Sequence, residues 1–176
     1  MNSQEPKGRS VEGERSLIRN KYVLMIGILL FTAVIINSLY YGGDFSVTTL
    51  SGDNFSVSGN RGRVIMINFM TTTCSYCRAE TLELKKLWDS YDGKIVLVSI
   101  SVDPITDTDG LLRDFASSHG ADWIWARDVV GAAMKYKVSG TPTTFILDDE
   151  GRIRYRHEGF TEAITLMNEL DILLNS

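Results

Sequence analysis

An apolar run, Val64-Ile-Met-Ile-Asn-Phe-Met70, is followed four residues later by Cys74, and Cys77 completes the only pair of cysteines in the chain. The run reads as a buried strand, and the residues after Cys74 read as a helix. Leu84, Leu87, Trp88 and Tyr91 fall at i, i+3, i+4 and i+7, the spacing of one helix face. A strand that delivers Cys-x-x-Cys to a helix start restricts the chain to α/β architectures. It also places the first sulfur in the positive field of the helix N-terminus, which favours a thiolate. The second sulfur is one turn on, close enough to close a disulfide. With no third cysteine, the pair is a redox couple, half of a metal site, or a static disulfide. A static disulfide over so short a loop adds little stability.

Tyr22–Tyr41 contains no charged residue, and about 20 apolar residues cross roughly 30 Å of hydrocarbon as a helix. Lys7, Arg9, Arg15, Arg19 and Lys21 precede it, and the next basic residue is Arg61. The positive-inside rule then puts residues 1–21 in the cytoplasm as a short disordered tail. Residues 22–41 become a single-pass anchor in the cell membrane, and residues 42–176 an extracytoplasmic domain. The apolar stretch is longer than a signal-peptide core and ends without a small-x-small site, so cleavage is not expected. Residues 42–176 keep 13 of the 18 basic and 19 of the 22 acidic residues. That acidic balance argues against nucleic acid as a partner.

Past the anchor, Phe45–Leu50 and Phe55–Ser58 flank Ser51-Gly-Asp-Asn54 and predict an N-terminal β-hairpin,. Ile95–Val102 is a second buried strand. Asp109–His119 is a helix with Leu111, Leu112, Phe115 and Ala116 on its apolar face, stopped by Gly120,. A short strand at 123–125 and a short helix within 129–136 follow. Thr143–Leu147 and Arg152–Glu158 form a hairpin around Asp148–Gly151. The last helix, Thr161–Leu174, carries Ile164, Met167, Leu170 and Leu174 on one face. The fold class is α/β: a mixed central sheet flanked by helices.

Four segments carry a resemblance over about residues 44–176: Phe45-Ser-Val-Thr-Thr-Leu-Ser-Gly52, Ile67-Asn-Phe69, Cys74-Ser-Tyr-Cys-Arg-Ala-Glu80 and Gly140-Thr-Pro-Thr-Thr-Phe-Ile-Leu147. In that order they resemble the thioredoxin superfamily, and within it the membrane-anchored ResA/TlpA branch. The resemblance implies a thioredoxin-like fold and a thiol–disulfide oxidoreductase, with Cys74 as attacking thiolate and Cys77 as resolving thiol. It implies a cis bond before Pro142 and a substrate-binding surface at Thr141, Pro142 and Tyr76. Thioredoxins proper have a buried aspartate where this chain has Asn68; Glu80 then takes over the proton handling. The implied partners are proteins with a disulfide or dithiol, such as apocytochrome cysteines or a copper-site dithiol, and a transmembrane electron donor. No cofactor and no resident metal are expected. Met70 and Thr73 stand where the branch usually has tryptophan.

Two further resemblances are narrower. Ser99-Ile-Ser-Val-Asp-Pro-Ile-Thr-Asp-Thr108 is similar to the Sco/SenC copper-handling proteins. Those bind copper through Cys-x-x-x-Cys and a histidine before the late core strand, where this chain has Gly140-Thr-Pro. His119, at a helix end, and His157, in an alternating strand, lack the context of a third ligand. Two thiolates still suit soft Cu(I). Peroxiredoxins place Thr three residues before the reactive cysteine, as Thr71 does, and a proline seven before, where this chain has Ile67.

Overall fold

The computed structural model describes residues 11–40, 43–91 and 93–175, without the side chains of 11–18 and 34–40. The chain divides into two units, residues 1–39 and 40–176. The first holds all but the last residue of helix α1, Val11–Tyr40. The helix starts well before Tyr22, so residues 11–21 are helical and not the disordered tail the polarity suggested. There is no proline between Pro6 and Pro104, and Gly13 falls in the first turn, so nothing stops an established helix from extending upstream. Among the described residues, no helix is long and apolar enough to cross a membrane. The expected span is described only in part: Tyr41 and the side chains of 34–40 lie outside, as do residues 1–10 of the tail.

In the second unit, β1 (Ser46–Thr48) and β2 (Asn54–Ser56) form the expected antiparallel hairpin. Then come β3 (Val64–Met70), α2 (Ser75–Tyr91), β4 (Ile95–Ser101), α3 (Asp109–Ser118), β5 (Ile124–Arg127), α4 (Ala132–Lys135), β6 (Thr143–Leu147), β7 (Ile153–Glu158) and α5 (Ala163–Leu174). The five-stranded sheet has the order β5-β4-β3-β6-β7. Parallel pairs β3/β4 and β4/β5 meet antiparallel pairs β3/β6 and β6/β7. β3 is central, and alternate residues serve two different cores. Met66 and Met70 pack with Leu84 and Leu87 of α2 and Leu166 and Leu170 of α5. Ile65, Ile67 and Phe69 pack with Phe45, Val47 and Phe55 of the hairpin side and with Tyr136. Burial on both faces is why β3 reads as a continuous apolar run and not as an alternation.

Two helix faces differ from expectation. In α5 the buried residues are Ala163, Leu166, Leu170 and Leu173, while Ile164 and Leu174 are exposed. The helix carries overlapping apolar stripes, and the one turned inward holds Leu166 and Leu170, which pack with Met66, Leu84 and Leu87. At its start the Ala163 amide donates to Glu83 Oε2 at 3.1 Å. In α3, Leu112 and Phe115 are buried but Leu111 is exposed. Thr108 caps that helix by accepting the Leu111 amide at 3.3 Å,.

Candidate active site

The loop Thr71–Thr73 carries the chain from the end of β3 to the start of α2. The first helical hydrogen bond runs from the Arg78 amide to the Cys74 carbonyl at 3.1 Å, which makes Cys74 the residue that caps α2. Its side chain fills the cap role: Cys74 Sγ accepts the Cys77 amide at 3.0 Å. A sulfur in the place of a serine or aspartate oxygen gains the same field of unpaired amides. Cys74 and Cys77 form a disulfide with Cα atoms 5.2 Å apart. The pair is asymmetric. Cys77 is 1% exposed, whereas Cys74 is half-buried and opens to solvent beside exposed Tyr76.

The Thr141–Pro142 peptide is cis, and the Thr141 carbonyl oxygen lies 3.6 Å from Cys74 Sγ. This loop is fixed on both sides. The Gly159 amide donates to the Pro142 carbonyl at 2.8 Å, and Thr143 Oγ1 donates to the Gly140 carbonyl at 2.7 Å. Thr141, Pro142 and Cys74 therefore meet, 67 residues apart in sequence.

Behind the disulfide lies a polar layer. Ser99, Asn68 and Thr144 are register neighbours on β4, β3 and β6, so their side chains share one face of the sheet. Glu80, on α2 three residues after Cys77, sits against them with no exposed surface. Its Oε1 accepts from Thr144 Oγ1 at 2.6 Å and from Asn68 Nδ2 at 3.3 Å. Asn68 Nδ2 also donates to Thr144 Oγ1 at 3.0 Å. Ser99 Oγ donates to Asn68 Oδ1 at 3.4 Å, and Trp123 Nε1 donates to Ser99 Oγ at 2.9 Å. Oε2 of Glu80 is buried without a hydrogen-bond partner of good geometry among the described residues. Burial lifts the Glu80 carboxyl to about 7, against smaller opposing effects of the Thr144 hydroxyl and the Thr161 backbone,.

The structure thus brings together Cys74, Cys77, Thr141 and Pro142, with exposed Tyr76 between the two cysteines, and sets Glu80 one helical turn after Cys77, bonded to Thr144 and Asn68. Sequence reasoning missed Thr144: its place two residues beyond Pro142 is legible, but its position opposite Asn68 comes only from the β3/β6 register. It also missed Asp107, buried beside the Thr71–Thr73 loop, whose carboxyl accepts from Thr72. The histidines are engaged elsewhere. His119 stacks on Phe115 with centroids 4.3 Å apart, and His157 pairs with Glu169 at 2.7 Å. No group of three metal-binding side chains occurs among the described residues. Ile67, at the position of the peroxiredoxin proline, is a fully buried strand residue paired with Val98 and Phe145.

A cysteine pair at a helix start, opposed by a cis-proline loop on a mixed five-stranded sheet, defines a thioredoxin-like thiol–disulfide oxidoreductase. Residues 43–156 match the AhpC/TSA family, and the chain belongs to it. It is 31% identical to thioredoxin-like protein YneN of Bacillus subtilis over 73% of this chain and 76% of that protein. It is 26% identical to thiol-disulfide oxidoreductase ResA of Bacillus thuringiensis over 69% of this chain and 75% of that one. Among solved structures, a putative thiol:disulfide interchange protein DsbE from Chlorobium tepidum superposes with a TM-score of 0.67 at 25% identity. That match covers 76% of this chain and 95% of the other.

Proposed function

We propose that the domain reduces disulfides of partner proteins outside the cytoplasm, held at the membrane by residues 22–41. The observation that carries the reductase chemistry is the asymmetry of the pair. Cys74 is accessible and its sulfur takes the Cys77 amide, a contact that stabilises a thiolate once the pair is reduced, while Cys77 is sealed in the core one helical turn before a buried acid,. In the reduced protein the Cys74 thiolate attacks one sulfur of a partner disulfide and expels the other as thiolate. The partner's chain lies along Thr141–Pro142 and against Tyr76. Cys77 then gives its proton to Glu80 and attacks Cys74 Sγ, and the second partner sulfur leaves. The products are a reduced partner dithiol and the Cys74–Cys77 disulfide. Two electrons from a transmembrane dithiol donor restore the reduced form.

ResA and DsbE type relatives support this class of reaction. The uncharged stretch Tyr22–Tyr41 and the basic residues before it support the anchor,. Apocytochrome cysteines and a copper-site dithiol are the partner classes to test. A redox titration of the pair in the full-length protein, with and without Cu(I), decides direction. A midpoint well below roughly −180 to −210 mV, the poise of an oxidising compartment, is expected of a reductant. A midpoint above that range overturns the reducing role, and a titration abolished by stoichiometric Cu(I) favours copper transfer.

A further inference from the structure

Of the segment Ser99–Thr108, with its copper-protein resemblance, only Ser99 belongs to the polar layer described above. The segment's buried acid nevertheless reaches the active-site loop. Asp107 is 1% exposed. Its Oδ2 accepts the Thr72 amide at 3.0 Å and the Ser101 hydroxyl at 2.6 Å, and its Oδ1 accepts the Thr72 hydroxyl. Ser101 ends β4 opposite Met70, the end of β3. One carboxyl therefore ties the loop that leaves β3 to the neighbouring strand end.

The geometry points to Asp107 as a positioning residue for Cys74: through Thr72, its carboxyl fixes the loop that seats the attacking sulfur on the helix N-terminus. The inference rests on Cys74 being the attacking sulfur.

Asp107 is itself held in place. Its amide donates to the Asp103 carbonyl at 2.9 Å, and the Asp103 amide donates to Ser101 Oγ at 3.2 Å. Arg127 donates to the Pro104 carbonyl at 3.1 Å and pairs with Asp109 at 2.6 Å. The Thr71–Thr73 loop, by contrast, has few ties. Among the described residues its hydrogen bonds are that of the Cys74 amide to the Thr71 carbonyl at 3.3 Å, which links the loop to the cysteine it seats, and those of Thr72 to Asp107, which link it to the rest of the domain. In the oxidised protein the disulfide also holds Cys74 to α2. Reduction removes that link, and the 3.0 Å bond from the Cys77 amide to Cys74 Sγ then depends on the loop. The carboxyl thus matters most in the state that attacks substrate.

The test is the pH dependence of Cys74 alkylation by limiting iodoacetamide in the reduced full-length protein, with labelled sites identified by mass spectrometry and thermal melting of each variant alongside. Asp107→Ala is expected to move the Cys74 midpoint up and slow labelling at pH 7 by about tenfold, since only the thiolate reacts. Thr72→Val, which keeps the amide bond, moves it the same way by less. Asp107→Asn, whose oxygen can still take the Thr72 amide, stays near wild type. A charge effect alone would lower the midpoint in both the Ala and Asn variants. A merely structural role would lower the melting temperature and leave the labelling profile unchanged. Either result overturns the inference. If Asp107→Ala does not fold, Thr72→Val decides: an unchanged midpoint rejects the inference. Preferential labelling of Cys77 in the unmodified protein would instead reject the underlying assignment of the attacking sulfur.

Discussion

Thr144 donates its hydroxyl proton to Glu80 at 2.6 Å, and it does so to Oε1, the oxygen that Asn68 also faces. The two carboxyl oxygens are therefore unequal. Oε1 is kept as an acceptor whatever the protonation state, while Oε2 has no hydrogen-bond partner of good geometry among the described residues and is the atom on which a proton can come and go. The donors behind it, Trp123 to Ser99 to Asn68, all point toward the acid. They temper the cost of burying its anion without removing it. A buried carboxyl near 7 is well matched to accept a proton at neutral pH.

Replacing Glu80 with Gln preserves the acceptor at Oε1 and removes the proton site. Release of the mixed disulfide is expected to slow at pH 7, by roughly ten- to a hundredfold if Glu80 is a general base of ordinary strength. The difference shrinks as pH rises and Cys77 loses its proton to water. Stopped-flow measurement of the second step across pH 6 to 9 checks this. Parallel profiles for the two proteins would make Glu80 only a buried spacer.

The same acid makes stability depend on pH. Glu80 shifts from an ordinary 4.5 to about 7 in the folded protein, so the folded state binds its proton more tightly than the unfolded state. The stabilisation from this group is complete below 4.5 and is lost as pH rises through 7. The whole difference is about 3 kcal/mol or less. Denaturant unfolding of the oxidised protein at pH 5 and pH 8 should show a smaller decline in Glu80→Gln than in wild type. Equal declines would place the folded-state value near 4.5.

Thr144→Val keeps the shape of the side chain and removes its donor. The anion of Glu80 loses its shortest hydrogen bond, so the carboxyl titrates at still higher pH. The pH midpoint of mixed-disulfide release is expected to move up. Stability at pH 8 should fall by about 1–3 kcal/mol, the cost of a buried charge with one partner fewer. An unmoved midpoint would show that burial, and not the Thr144 hydrogen bond, sets the acid.

For the thiols, Cys74→Ser is expected to abolish disulfide reduction. Cys77→Ser is expected to accumulate mixed disulfides through Cys74, seen as adducts on non-reducing gels. The accessibility of Cys74 against the 1% exposure of Cys77 is the reason. Adducts formed by the Cys74→Ser protein instead would reverse the roles.

Much of this site was legible because its signals are local. Cys-x-x-Cys after a strand and Gly-Thr-Pro before another locate both halves, and β3 shows its burial as an unbroken apolar run. What stayed hidden depends on contacts between distant segments. Thr144 is an ordinary strand threonine until β6 sets it beside Asn68. Asp107 looks like a solvated loop acid until the chain after β4 folds back on Thr72. The face of α5 is ambiguous in the sequence because Ile164 and Leu166 belong to competing stripes, and only packing of Leu166 and Leu170 against Leu84, Leu87 and Met66 chooses between them. Helix α1 began early because helices extend until something stops them.

That helix leads to the last expectation. Five basic residues stand before Tyr22, and none follows until Arg61. If Tyr22–Tyr41 spans the membrane, this asymmetry orients the chain with its N-terminus in the cytoplasm. Cys74, the accessible cysteine, then faces outward. After mild reduction of intact cells, a membrane-impermeant maleimide should label the protein, and Cys74→Ser should remove most of the label. Moving the charge tests the cause. Replacing Lys7, Arg9, Arg15, Arg19 and Lys21 with Gln while adding lysines just after Gly43 should reduce labelling in intact cells but not in lysates. Labelling of the unmodified protein only after lysis would place the domain in the cytoplasm. A reducing role sustained by a transmembrane donor would then have no basis.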